Sequence, residues 1–255
     1  MCKLRIGLVA AFSLLSLAAP VLAETGSLTG SPPAEILEVI RGGARYLPPD
    51  FDTRVPPPYS AGDLEARREV IDLLILQRDA RTPRQVALAV AESMPDHTAM
   101  DWFELGGLLP PEEELPAIWS YLRVVQDEVR FFALRDSWHW QRPLPAELDP
   151  AVETIVPAAP QPPYPSDHSA RAASIAYALA LINPDCTLAY FELSREIAAR
   201  REIAGVNYAS DSSAGEVLAG SVVEALILGG GLDEMIAEAK GELRRKGWAY
   251  LQCGA

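Results

Sequence analysis

The sequence ARAASIAYALALI, at residues 170–182, is the segment from which the fold is predicted. It is apolar on nearly all sides and carries alanine at most of its small positions, a pattern typical of a central and closely packed helix. Asn183-Pro184 follows at once and ends the helix, because proline cannot continue the backbone hydrogen bonding. The stretch therefore predicts a helical protein built around this segment.

Helical patterns recur on both sides of this segment. The clearest predicts a helix from near Pro111, with three glutamates in its first turn and apolar residues at three- and four-residue steps toward Arg135. Further helices are predicted from near Gly62, after Thr82-Pro83, over residues 187–204, from Asp211 to Leu228 and over residues 232–245. No segment shows sustained two-residue alternation, so the predicted fold class is all-α.

The N-terminus resembles an export signal. Lys3 and Arg5 precede an apolar run over residues 6–19, and small residues follow at a cleavage-like position. We expect a signal peptide over residues 1–23 and a periplasmic or secreted protein without a stable membrane span. The alternative, a membrane anchor, is weaker because the run is too short to cross a bilayer. Prolines then predict an extended arm over residues 24–61, followed by one helical domain over residues 62–255.

The overall charge and the cysteines limit the classes of function. The chain has 22 basic and 35 acidic residues, a net charge of −13, which argues against nucleic-acid binding because that needs a basic surface. Any anion site must therefore be a local basic cluster. Cys186 and Cys253 remain after removal of the signal, and the sequence leaves open whether they form a disulfide or stay as two thiols.

Three short clusters collect the residues that could carry chemistry. They are Arg135-Asp-Ser-Trp-His139-Trp-Gln-Arg142-Pro143, then Pro165-Ser166-Asp167-His168, then Arg200-Arg201 followed by Asn207 and Asp211. Arginine forks match the oxygens of phosphate, and a serine at a helix start can meet an anion together with nearby backbone N–H groups. A histidine can deliver a proton near neutral pH, and a carboxylate can orient a partner. Together the clusters predict an oxyanion site.

The spacing of these clusters resembles a known signature. Six residues separate Arg135 from Arg142-Pro143, Pro165-Ser166-x-His168 follows, and Arg201, Asn207 and Asp211 stand five and three residues apart. This is similar to the three-part motif of the type 2 phosphatidic acid phosphatase superfamily, and most similar to the secreted bacterial class A acid phosphatases. The resemblance implies a compact helical bundle of the acid phosphatase and vanadium haloperoxidase type.

The resemblance also implies a reaction. The family hydrolyses phosphate monoesters through a phosphohistidine, and it implies neither a metal nor another cofactor here, with a homodimer as the simplest assembly. His168 resembles the general acid and Asp211 the carboxylate that orients the nucleophile. The residues that resemble phosphate ligands are Arg135, Arg142, Ser166, the backbone N–H of Asp167, and Arg201.

Four positions depart from the family pattern. Asn207 stands where the family has its nucleophilic histidine, and an amide is not a nucleophile. Arg135 replaces a lysine, Asp167 a glycine and Arg200 a serine. We expect Asp167 and Arg200 to form a new ion pair in the pocket. His139 is the one candidate to replace the missing nucleophile.

Three functions follow from these expectations. The first is an exported hydrolase of phosphate monoesters, with activity weak or lost because of Asn207. The second is a non-catalytic protein that binds phosphate or a phosphoester on the same scaffold. The third is a different reaction in the reshaped pocket.

Overall fold

The structure, a computed structural model, describes residues 32–94, 97–157, 159–247 and 253. Within these residues the chain is helical and forms no strand, which confirms the prediction of an all-α fold. The expected signal peptide lies outside the described residues.

The helices follow one another along the chain with short connections. They are α1 Ala34–Gly42, α2 Leu64–Asp79, α3 Pro83–Glu92, α4 Ala99–Leu105, α5 Pro116–Trp140, α6 Pro145–Leu148, α7 Asp167–Ile182, a 3-10 turn Pro184–Cys186, α8 Thr187–Ile203, α9 Ala209–Leu228 and α10 Asp233–Lys246. Residues 170–182, predicted as the central helix, lie in α7, and the helices predicted around it are present with shifted ends.

Helix α7 is the centre of the molecule. It packs against α4, α5, α8, α9 and α10, and all its alanines except Ala180 are buried. Gly215 of α9 faces the start of α7 so closely that a Cβ there would lie 2.6 Å from the Ser166 carbonyl oxygen. The small residues therefore let α9 approach the N-terminus of α7, where the second sequence cluster lies.

Helix α5 starts later than predicted. It begins at Pro116 rather than near Pro111, so the three glutamates 112–114 precede it instead of forming its first turn. Proline has no N–H to donate inside a helix but fits the first helical position, so Pro116 fixes the start. Its apolar face is buried as expected, from Ile118 through Phe132.

The proline-rich arm is not extended throughout, contrary to the prediction for residues 24–61. Residues Ala34–Gly42 form α1, which packs against α5. Beyond α1 the arm has no regular structure and is fastened to the domain by the buried Glu128 of α5. The Glu128 carboxylate accepts the backbone N–H groups of Arg45, Tyr46 and Leu47 at 2.8–3.0 Å.

The two remaining cysteines form a disulfide, which settles the alternative that the sequence left open. Cys186, at the end of the 3-10 turn before α8, is bonded to Cys253, with their Cα atoms 5.2 Å apart. In the described part of the chain no individual helix has the length and apolarity needed to cross a membrane. Among the described helices, α9 and α10 meet that test as a pair, and they are bent by 98° relative to each other.

Candidate anion site

A small pocket lies where the N-terminus of α7 meets the turn between α8 and α9. Its walls are Leu144, Ala159, Gln161, Pro162, Pro163, Ser166, Asp167, His168, Arg201, Val206 and Asn207. The enclosed volume is about 20 Å³, room for an ordered water molecule. The second and third sequence clusters therefore meet at one place, as predicted.

The N-terminus of α7 presents hydrogen-bond donors to this pocket. The hydroxyl of Ser166 caps the helix by accepting the Ser169 backbone N–H at 3.2 Å, which leaves its own O–H to donate. The first N–H groups of a helix have no acceptor within the helix, and those of Asp167 and His168 belong to this set. The Ser166 backbone N–H donates to the Asp211 carbonyl at 3.0 Å and so ties this end to α9.

Arg201, in the last turn of α8, brings positive charge to the pocket. Its side chain is buried, with the residue 2% exposed, and Nη1 donates to Ser93 Oγ at 2.7 Å. Its Nε is buried without a hydrogen-bond partner, and no carboxylate among the described residues forms an ion pair with it. Burial lowers the pKa of Arg201 to about 10, so the guanidinium stays protonated at neutral pH.

Asp167 and Arg200 do not form the ion pair that we expected, because each has a nearer partner. Asp167 Oδ2 accepts Arg171 Nε at 3.0 Å, one helical turn along α7. Arg200 turns away to Glu92 of α3, at 2.7 Å, and to Glu196. Asp167 Oδ1 is buried in the pocket wall without a hydrogen-bond partner among the described residues.

His168 is held as a neutral ring. It stacks on Trp102 of α4 with the ring centroids 4.7 Å apart and an angle of 15° between the planes, and Nε2 lies 3.3 Å from the Glu92 carbonyl oxygen. Burial lowers the pKa of His168 well below its usual value, and the charges of Arg201 and Arg171 lower it further. A neutral imidazole carries no additional proton to give to a leaving oxygen near neutral pH.

Asn207 lines the pocket at the position where the resemblance implies a nucleophile. Its Nδ2 donates to the Pro163 carbonyl at 2.9 Å and lies 3.4 Å from Asp211 Oδ2. Asp211, which is fully buried, also accepts the Tyr208 backbone N–H at 2.8 Å and so caps α9. Burial raises the pKa of Asp211 to about 7, although the Arg142 guanidinium opposes this shift.

Arg142 lies behind the pocket and does not line it. Its guanidinium bonds to Asp211, to Ser210 Oγ at 2.7 Å and to Glu69 at 2.6 Å, and it lies over the Tyr208 ring, 3.9 Å from the centroid. Glu69 also accepts the Ser210 backbone N–H at 2.8 Å. Arg142, which was predicted to bind phosphate, is thus already paired with two carboxylates.

Arg135 and His139 lie elsewhere, so the structure does not bring the first cluster to the pocket. Arg135 donates to the carbonyls of Pro49 and Phe51 at 2.7 and 3.0 Å and pairs with the adjacent Asp136. Both predicted residues line a separate open cleft of about 560 Å³ under the arm. The phosphate role predicted for Arg135 and the nucleophile role considered for His139 have no support in this geometry.

Sequence reasoning missed five residues that shape the pocket. They are Glu69 of α2, Glu92 of α3, Ser93 just after α3, Trp102 of α4 and Arg171 of α7, and the first four are far in sequence from the cluster they contact. No local pattern marks a residue for such a long-range contact. Arg171 alone had a signal, because Asp167 and Arg171 are four residues apart on a predicted helix.

Comparison with protein-family models and with curated proteins gives no match for this chain. The chemistry of the pocket is therefore the basis for a functional proposal. It combines a buried cation, a helix N-terminus, a hydroxyl and a side-chain amide in one small enclosure.

Proposed function

We propose that this chain is an exported protein that binds phosphate or a phosphoester without hydrolysing it, on a scaffold that resembles the acid phosphatases. One observation carries the proposal. Arg201 is a buried guanidinium in the pocket wall with an unpartnered Nε and no ion pair among the described residues. The charges of Glu92 and Asp167 act on Arg201 only from beyond ion-pair distance. A buried charge without a contacting counter-ion is costly, so an anion in the pocket would relieve that cost.

The other pocket groups suit the same ligand. The N-terminus of α7 favours negative charge through its dipole and its free N–H groups. Ser166 has an O–H to donate, and these donors lie on the same wall as Arg201. A phosphate group is larger than the water molecule that the pocket admits. Binding of phosphate therefore requires the pocket to widen.

Binding without turnover is favoured over hydrolysis by three features. Asn207 has no nucleophilic atom, and its Nδ2 is engaged by the Pro163 carbonyl. Burial lowers the pKa of His168, which disfavours the imidazolium that would protonate a departing alcohol near neutral pH. Arg142 is held by Glu69 and Asp211 and contributes no free donor to the pocket.

The test is a titration of the mature protein with inorganic phosphate and with a chromogenic phosphate monoester. Calorimetry measures binding, and the absorbance of the released chromophore measures hydrolysis. We expect saturable binding of inorganic phosphate and no release of the chromophore. Arg201→Gln should weaken binding by about ten- to a hundredfold, the usual effect of losing a hydrogen bond to a charged group. Arg195→Gln is the matched control, because it removes the same charge from an exposed position of α8.

Two outcomes would contradict the proposal. Equal loss of binding in the Arg195 and Arg201 variants would mean that phosphate responds to general charge and not to this pocket. Release of chromophore that disappears in His168→Ala would assign the chain to the hydrolases instead, with a water molecule in the role of the missing nucleophile.

A further inference from the structure

Besides the Arg201 donor, the pocket lining contains a second buried group without a hydrogen-bond partner among the described residues, and this one is an acceptor. Asp167 Oδ1 is buried without a hydrogen-bond partner among the described residues, and the whole residue is only 7% exposed. Asp167 and Arg201 both line this pocket. The pocket thus offers one unsatisfied donor, which is cationic, and one unsatisfied acceptor, which belongs to a carboxylate.

The orientation of this carboxylate is fixed. Asp167 Oδ2 is held at 3.0 Å by Arg171 Nε, and Arg171 itself lies over the Trp102 ring, 4.8 Å from the centroid. Oδ1 therefore cannot exchange its place with Oδ2 without breaking that ion pair. A ligand that satisfies both groups accepts a hydrogen bond from Arg201 and donates one to Asp167.

A fully deprotonated oxyanion meets only half of this requirement. Its oxygens accept from Arg201, but they repel the Asp167 carboxylate, and an ionised carboxylate has no proton to offer. An oxyanion that keeps an O–H satisfies both groups. Hydrogen phosphate keeps one P–OH in neutral and slightly alkaline solution, whereas sulfate keeps none.

We propose that Asp167 makes this pocket selective for oxyanions that retain an O–H, and so for hydrogen phosphate over sulfate. This inference rests on the proposed function, because it presupposes that the pocket binds an anion. It gives a role to the carboxylate that the resemblance alone would count as a repulsive replacement for glycine. Asp167 acts here as a specificity-determining residue that receives the ligand's proton in a hydrogen bond.

The experiment compares three anions with the mature protein by calorimetry at slightly alkaline pH. Inorganic phosphate carries the P–OH. Sulfate and monofluorophosphate have similar size and the same charge as hydrogen phosphate but no O–H. We expect phosphate to bind on the order of ten- to a hundredfold more tightly than either, the range for a hydrogen bond to a charged group whose loss leaves it unpaired.

Two variants test whether Asp167 causes the difference. Asp167→Asn can donate an amide N–H to a deprotonated oxygen, so we expect the ratio of phosphate to sulfate affinity to fall toward one. Asp233→Asn is the matched control, because Asp233 is likewise the first residue of its helix, α10, but is exposed and does not line the pocket. That variant should keep the wild-type ratio.

The outcomes separate this inference from the proposed function. If the wild type binds none of the three anions, the proposed function itself fails. If it binds all three equally, the site binds anions but the selectivity inference is wrong. An unchanged ratio in Asp167→Asn also overturns it. Should that variant not fold, the comparison of phosphate with monofluorophosphate on the wild type still decides the question.

Discussion

Replacement of Arg142 by glutamine separates a structural arginine from a ligand-binding one. The guanidinium lies between two carboxylates, Asp211 and Glu69, and also donates to Ser210 Oγ. Its side chain is 2% exposed, and that of Asp211 is fully buried. Glutamine keeps part of the volume but removes the charge, so two carboxylates remain close together without their common partner.

The expected loss of stability follows from this geometry. Removing one partner of a buried ion pair typically costs about 3–5 kcal/mol, because the remaining charge stays buried. The contact of the guanidinium with the Tyr208 ring, 3.9 Å from the centroid, is lost as well. With a slope of about 1–3 kcal/mol/M in urea, the unfolding midpoint should fall by about 1 M or more.

The pH dependence of this loss gives a second check. Burial raises the pKa of Asp211 from 3.8 to about 7. The folded state therefore holds this proton more tightly than the unfolded chain does, and the contribution of Asp211 to stability is lost as the pH rises from about 4 to about 7. Without Arg142, which lowers this pKa, the loss extends to higher pH. The deficit of the variant should thus be larger near pH 8 than near pH 5.

The assay is urea unfolding followed by tryptophan fluorescence and circular dichroism at both pH values. Arg54→Gln is the control, because Arg54 pairs with Glu224 at 2.9 Å on the surface, with side chains 64% and 53% exposed. Such pairs contribute about 1 kcal/mol or less. A deficit for Arg142→Gln no larger than that of the control, or one independent of pH, would refute the buried-network reasoning.

Three further predictions concern the nucleophile position, the histidine and the disulfide. Asn207→His should give no turnover of a chromogenic phosphate monoester, because His168 remains neutral and Arg142 remains bound to carboxylates; rapid release of the chromophore would show that these groups are competent. NMR of His168 should show a neutral ring where an ordinary histidine, with a pKa of about 6.5, is half protonated. Since its folded pKa is depressed, its contribution to stability should be lost as the pH falls below about 6.5, and a ring that titrates normally would contradict this. Cys186→Ser should lower the free energy of unfolding by about 2–5 kcal/mol in urea, because the disulfide closes a loop of 67 residues. Cys253→Ser should have the same effect, and the double variant should add nothing to it.

Local pattern was sufficient to predict most helices. The apolar run over residues 170–182 predicted α7, and Thr82-Pro83 predicted the start of α3, where Thr82 and Gln85 form a capping box. These features depend on neighbouring residues alone. The start of α5 was predicted wrongly. The glutamates after Pro111 favour a helix start there, but Pro116 lacks a backbone N–H and fits only the first turn, so the helix begins at Pro116.

The site was predictable only where it is built from contiguous sequence. The Ser166–His168 segment and the Arg201–Asp211 segment do meet at one pocket, as their spacing suggested. The carboxylates that pair with Arg142 and Arg200 could not be predicted from the sequence, because they come from α2 and α3. Glu69 of α2 forms an ion pair with Arg142, and Glu92 of α3 forms one with Arg200. Such pairings are set by tertiary packing.

The three buried arginines near the pocket, Arg142, Arg200 and Arg201, differ in their partners. Arg142 and Arg200 are each bonded to a buried or nearly buried carboxylate, so their charges are compensated within the fold. Arg201 is buried to the same degree, yet the one hydrogen bond that its guanidinium donates to a described residue goes to the Ser93 hydroxyl. Glu92 and Asp167 act on the Arg201 charge only from beyond ion-pair distance, and this difference from Arg142 and Arg200 supports the proposal that an anion binds in the pocket. We therefore expect a given concentration of phosphate to raise the melting temperature of the wild type and of Arg195→Gln by similar amounts, and that of Arg201→Gln by clearly less.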